Sequence, residues 1–125
     1  MPSTSQVANL IIDTDMSIDV DDVGMLCAAH ALVDLGEAEI LAILHDSAAV
    51  YGIGAVSAIN KWYGRGGIPL GAYKGNIGAP GPRSSHPALF REGQGCYAQQ
   101  LVERFNASVS TASDVPDALP VFRRA

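Results

Sequence analysis

The chain is poor in the residues that would place it in several common classes. It has two cysteines in 125 residues, too few for a disulfide-rich secreted scaffold, and Cys27 and Cys96 lie too far apart in sequence to read as a paired zinc or redox motif. Idle or buried thiols are the expectation. Basic residues are scarce: eight Lys and Arg stand against thirteen Asp and Glu, for a net charge of −5. A nucleic-acid partner needs a basic patch and is not expected. No apolar run approaches the roughly 18 residues of a membrane span, and the opening MPSTSQVANL has neither a basic nor a long apolar segment. A cytoplasmic chain with no membrane partner is therefore expected. There is no internal repeat and no low-complexity tract. What remains, 48% hydrophobic and 17% charged, is the composition of one soluble globular domain able to bury a core.

Against that background one stretch stands out. In LIIDTDMSIDVDD, residues 10–22, a short apolar run gives way to Asp13, Asp15, Asp19, Asp21 and Asp22. Residues 7–12 are expected as a strand and residues 20–35 as a helix, stopped by Gly36, so the carboxylates fall on a strand-to-helix turn, where open α/β folds bind ligands. Two bare carboxylates about 4 Å apart repel by roughly 4 kcal/mol at an effective dielectric of 20. The cluster thus calls for a cation, a shared proton or wide spacing, and a hard divalent cation such as Ca²⁺ or Mg²⁺ takes oxygen ligands. Capping is the alternative: Asp19 as N-cap with Asp22 three residues on would explain part of the cluster, but not Asp13 and Asp15.

Downstream, AEILAILH (38–45) has the near-continuous apolar character of a parallel strand covered on both faces. Its polar end, His45 and Asp46, would share an edge with the aspartates if the two strands are parallel. Residues 52–64 are expected as a second helix on the spacing of Ile53, Val56, Ile59, Asn60 and Tyr63, with Trp62 and Tyr63 as packing residues. IPLGAY (68–73) is expected as a third strand. His30 reads as a structural helix residue. The Gly- and Pro-rich passage from Lys74 to Pro87, containing His86, is expected as a functional or mobile loop. A third helix follows over 96–105. The remaining tail should trail, with Pro116 and Pro120 allowing only the start of another helix and nothing to cap it. The β-α-β-α-β order implies an open, mainly parallel α/β sheet with helices on both faces.

The motif D-x-D-x-x-x-D-x-D-D after an apolar strand resembles the N-terminal signature of the inosine–uridine preferring nucleoside hydrolases, in a variant with two extra residues, and GIPLGAYKG is similar to that family's third strand and loop. The resemblance implies a Rossmann-like nucleoside hydrolase core that hydrolyses the N-glycosidic bond of a ribonucleoside or related ribosyl substrate. It implies Ca²⁺ as cofactor, with attack by metal-activated water. Matched residue by residue, it makes Asp15 both Ca²⁺ ligand and general base, Asp22 a Ca²⁺ ligand, Asp13 a supporting metal-site residue and Asp21 a ribose contact. Asp19 has no counterpart. Met16 and Ser17 replace the family's Pro-Gly, and HDSAAVYG replaces its asparagine after the second strand, so that the ribose contact there falls to Asp46 or to no residue. The family's domain is more than twice this length, so residues 1–125 are expected to be its N-terminal portion, prone to self-association as a homo-oligomer. Two other readings are an inactive homologue that binds a cation or a partner, and a haloacid-dehalogenase-like, Mg²⁺-dependent phosphatase with Asp13 as nucleophile and Asp15 as acid.

Overall fold

Strand β1 (Ala8–Thr14) alternates as a half-covered strand must, with Ile12 and Thr14 buried and Asn9, Ile11 and Asp13 exposed. The computed structural model describes residues 6–17, 19–47, 49–74 and 97–125. β1 runs two residues beyond the expected 7–12 because Asp13 and Thr14 still pair with Leu44 and His45 of β2 (Ala38–His45). An outward carboxylate does not interrupt a backbone ladder. The pairing is parallel, and β2 also pairs in parallel with β3 (Leu70–Ala72), giving, among the described residues, an open three-stranded sheet in the order β1-β2-β3.

The β1–β2 register slips once: Leu10 faces Ile40, whereas Ile11 faces Ala42, so Leu41 is an extra residue on β2. This bulge changes which residues of β2 look which way. Ile40 and Ile43 join Ile12, Leu26, Ile53 and Val56 in the main core, while Ala42 and Leu44 turn to the opposite face and pack with Ala118 and Val121. Cover on both faces is why the strand is apolar almost throughout.

Helix α1 (Asp21–Asp34) buries Leu26, Ala29 and His30. Its N-cap is Val20, with no side-chain cap, so Asp19 does not take the capping role open to it in the sequence. The helix ends where Gly36 adopts φ 71°: the Gly36 N–H donates to the Val33 carbonyl and the Glu37 N–H to that of Leu32, the pattern that closes a helix on a left-handed glycine. Helix α2 (Gly52–Trp62) is buried at every position from Gly52 to Asn60, well beyond one amphipathic stripe. Both crossover helices pack into the main core, on one face of the sheet. Tyr63 packs as expected; Trp62 is 75% exposed and contributes only a T-shaped contact with Phe105.

The C-terminal part departs most from expectation. After α3 (Tyr97–Arg104) and a 3-10 turn at Ala112–Asp114, the tail returns to the sheet. Asp117 bridges to Ala72 and the Ala72 N–H donates to the Pro116 carbonyl. Asp117 then caps α4 (Ala118–Phe122) by accepting from the Leu119 N–H at 2.9 Å. Pro120 is tolerated because it stands in the first turn, where backbone N–H groups have no helical partner. α4 presses so closely on β3 that a Cβ at Gly71 would lie 2.9 Å from the Ala118 Cα. Among the described residues no helix is long and apolar enough to cross a membrane. The Lys74–Pro87 passage beyond Lys74, with His86, and also Cys96 lie outside the described residues.

Candidate functional site

Because all three strands run the same way, their C-terminal ends share one edge: Thr14 lies level with His45, and His45 with Ala72. Asp13 and Asp15 leave β1 there, Asp46 leaves β2, and Asp21 and Asp22 open α1. The carboxylates of Asp19, Asp21 and Asp22 offer oxygens that all lie within 4.8 Å of one another. Asp15 connects this trio to the rest. Its charge raises the pKa of Asp22 and, with that of Asp13, the pKa of Asp46.

Burial is the first cause of both shifts. For Asp22, a hydrogen bond from Thr14 works the other way, while Asp15, Asp21 and Asp19 all push upward. For Asp46, Asp13 and Asp15 push up and His45 pulls down. The carboxylates are therefore not spaced widely enough to ignore one another, and among the described residues no lysine or arginine pairs with the group. The ion pair found there is Arg65–Asp34, at the other end of α1.

The turn that carries the aspartates is held from beneath. Thr14, buried by the alternation of β1, donates its hydroxyl to Asp22 Oδ1 at 2.5 Å and accepts from the Met16 N–H at 3.3 Å. The Met16 side chain is completely buried, and its carbonyl accepts from His45 Nε2 at 3.2 Å. A carbonyl only accepts, so Nε2 carries the proton. The Asp46 N–H donates to the Thr14 carbonyl, tying the ends of β1 and β2 together. The start of α2 closes in from the side: a Cβ at Gly52 would collide with the His45 ring and the Met16 carbonyl. Glycine is required here by close approach, not by its φ.

Each expected residue can now be placed. Asp13, Asp15, Asp21 and Asp46 are exposed along one edge and Asp22 is partly buried beside them. Asp19, to which the resemblance gives no role, belongs to the tightest trio, whereas Asp13 lies on the Asp46 side. His45, expected at the same edge as the aspartates, is there but buried beneath the turn as a support. Thr14 and Gly52 carry structural duties that the sequence reading missed. For Thr14 the signal was available, since its place between two outward aspartates of a strand turns it inward. For Gly52 nothing local distinguishes it from any glycine near a helix start.

The arrangement is an all-oxygen donor set suited to a hard cation. The apolar cavity of about 310 Å³ lined by Cys27, Ile59, Trp62, Tyr63, Leu101 and Phe105 is a separate feature with no charged group in its lining. No family model, curated protein or solved structure matches this chain.

Proposed function

We propose that the acidic edge is the metal- and ribose-binding side of a Ca²⁺-dependent hydrolase acting on the N-glycosidic bond of ribonucleosides, within a Rossmann-like core. The observation that carries this reading is the gathering of six carboxylates at the C-terminal edge of a parallel sheet, two with raised pKa, without a basic partner among the described residues. Structural acidic clusters are normally neutralised by lysine or arginine. One that is not, and that has carboxyl groups pushed upward by burial and like charge, suits a cation from solution.

Asp15 and Asp22, with Asp13 in support, would hold the cation, and Asp19 and Asp21 lie close enough to Asp22 to share in it. Ca²⁺ in such a site supplies electrostatic activation of water and a template for vicinal hydroxyls. The remaining work falls to the protein. Asp15, exposed and between the two halves of the cluster, takes the proton of the attacking water as general base. Asp21 and Asp46, exposed at the rim on either side, accept hydrogen bonds from the ribose hydroxyls. The summed negative charge favours an oxocarbenium-like sugar as the base departs.

A second reading draws on another observation. Among the described residues β1 forms one border of the sheet, and Ile11 on it is exposed. Such a border pairs readily with another strand. A chain that binds a cation and associates with a second copy, without turnover, fits this feature equally well. Ribose release from inosine or uridine, measured with Ca²⁺ and with chelator, separates the two. Chelator-sensitive release that disappears in Asp15→Asn supports the hydrolase. Calorimetric Ca²⁺ binding without release supports the binding-only reading. Absence of both rejects the metal site altogether.

A further inference from the structure

At the far end of α1 from the aspartates lies a buried histidine that the proposed chemistry does not use. His30 is fully enclosed, and both ring nitrogens and one ring face have identified neighbours. Arg65, in the turn after α2, directs Nη1 at His30 Nδ1 at 3.4 Å. A guanidinium only donates, so Nδ1 presents its lone pair and the single ring proton sits on Nε2. That proton is donated to Asn60 Oδ1 on α2 at 2.9 Å. The Asn60 amide nitrogen is buried without a partner among the described residues, so the side chain satisfies the histidine at the expense of its own donor. The Tyr63 ring lies flat on the imidazole, with centroids 4.4 Å apart and planes 13° from parallel. Asp34, on α1, holds the other arm of the guanidinium in an ion pair.

We propose that His30 is a pH-sensitive latch that fastens the C-terminal half of α1 to the end of α2 while its ring is neutral. A second proton can enter only at Nδ1, which faces the Arg65 guanidinium. Protonation therefore sets two cations against each other, expels Arg65 from the ring and unfastens the helices. Among the described residues, the charged and titratable groups around the imidazole are Arg65 beyond α2 and Asp34 on α1, with Tyr63 stacked on the ring and Cys27 beside Tyr63. Burial is the main influence holding the His30 pKa below 6.5, with Arg65 adding to it and Asn60 and Asp34 opposing. The native state thus resists a proton that the unfolded chain accepts. The latch contributes fully above the unfolded value near 6.5, and its contribution is lost as pH falls through that value toward the lower folded one. α1 also carries Asp21 and Asp22, so the latch governs the far end of the helix that presents part of the acidic edge. It does not depend on what that edge does.

The test is urea unfolding of wild type, His30→Gln and Arg65→Gln between pH 8 and 5, together with ¹⁵N-detected NMR of the His30 ring in the wild-type chain. Glutamine keeps a donor for Asn60 and has no proton to gain. Between pH 7 and 5 the wild-type folding constant should fall more steeply than that of His30→Gln, by up to about tenfold per pH unit, the limit for one proton. The ring should show the Nε2–H tautomer with a midpoint below 6.5, and Arg65→Gln should move that midpoint upward. Equal pH slopes in wild type and His30→Gln, or an Nδ1–H tautomer, would overturn the latch. Should His30→Gln not fold, the wild-type tautomer and midpoint decide alone.

Discussion

The two ends of α1 solve the problem of polar groups in opposite ways. At its C-terminal end, His30, Asn60, Arg65, Asp34 and Tyr63 form a network in which the positive and negative charges face each other. At its N-terminal end, Asp15, Asp19 and Asp21 all push the pKa of Asp22 upward, and the support beneath them, from Thr14, Met16 and His45, orients the turn without neutralising it. A paired network holds helices together. A cluster whose charges are positioned but left unbalanced holds nothing together, and the proposed function gives it a cation to bind.

The largest effect expected from breaking this contrast is on turnover. If ribose release is found, Asp15→Asn should lower it by about 10²–10⁴-fold, the usual cost of losing a general base, with far-ultraviolet circular dichroism unchanged. Near-normal turnover would assign the base elsewhere. Next is the cation itself. Ca²⁺ at a hundred times its dissociation constant should stabilise the wild-type chain by about 2.7 kcal/mol in thermal unfolding, and this gain should vanish in Asp22→Ala but persist in Glu39→Gln, whose carboxylate stands at the other end of β2. An equal gain in all three would mean that the ion binds elsewhere.

The support beneath the turn offers a smaller lever. Gly52→Ala drives a methyl group into His45 and the Met16 carbonyl, and should cost about 1–3 kcal/mol of stability by urea unfolding. An unchanged midpoint would show that the turn yields easily. The smallest effect is that of Thr14→Val, which keeps the shape and removes the hydroxyl. It should cost about 1 kcal/mol of stability and weaken Ca²⁺ binding, with both effects restored in Thr14→Ser. Loss of stability with unchanged Ca²⁺ affinity would confine Thr14 to a structural role and blur the contrast between the two ends of the helix.

Much of this was legible from local pattern. β2 is found at the expected residues, α1 and α2 differ from expectation by a residue or two at their ends, and Gly36 stops α1 as its place in the sequence implied. Asp46 was connected with Asp13 and Asp15 on the sole condition that the strands be parallel, which they are. The tail was misread because its partner is remote. Pro116 and Asp117 acquire a strand-like role only through Ala72, some 45 residues earlier, and no local pattern reports that contact.

By itself the sequence determined the α/β alternation, the parallel sheet and the concentration of carboxylate at a strand end, because apolar periodicity, glycine stops and charge density are properties of neighbouring residues. Only the tertiary structure decided which groups meet. It turned Thr14 onto Asp22, buried His45 beneath Met16, and brought Asn60 and Arg65 around His30 from 30 and 35 residues away. Hydrogen bonds and charge pairs act over a few ångströms in space, and two parallel crossovers bring distant residues within that range while leaving no trace of the pairing in the order of the chain.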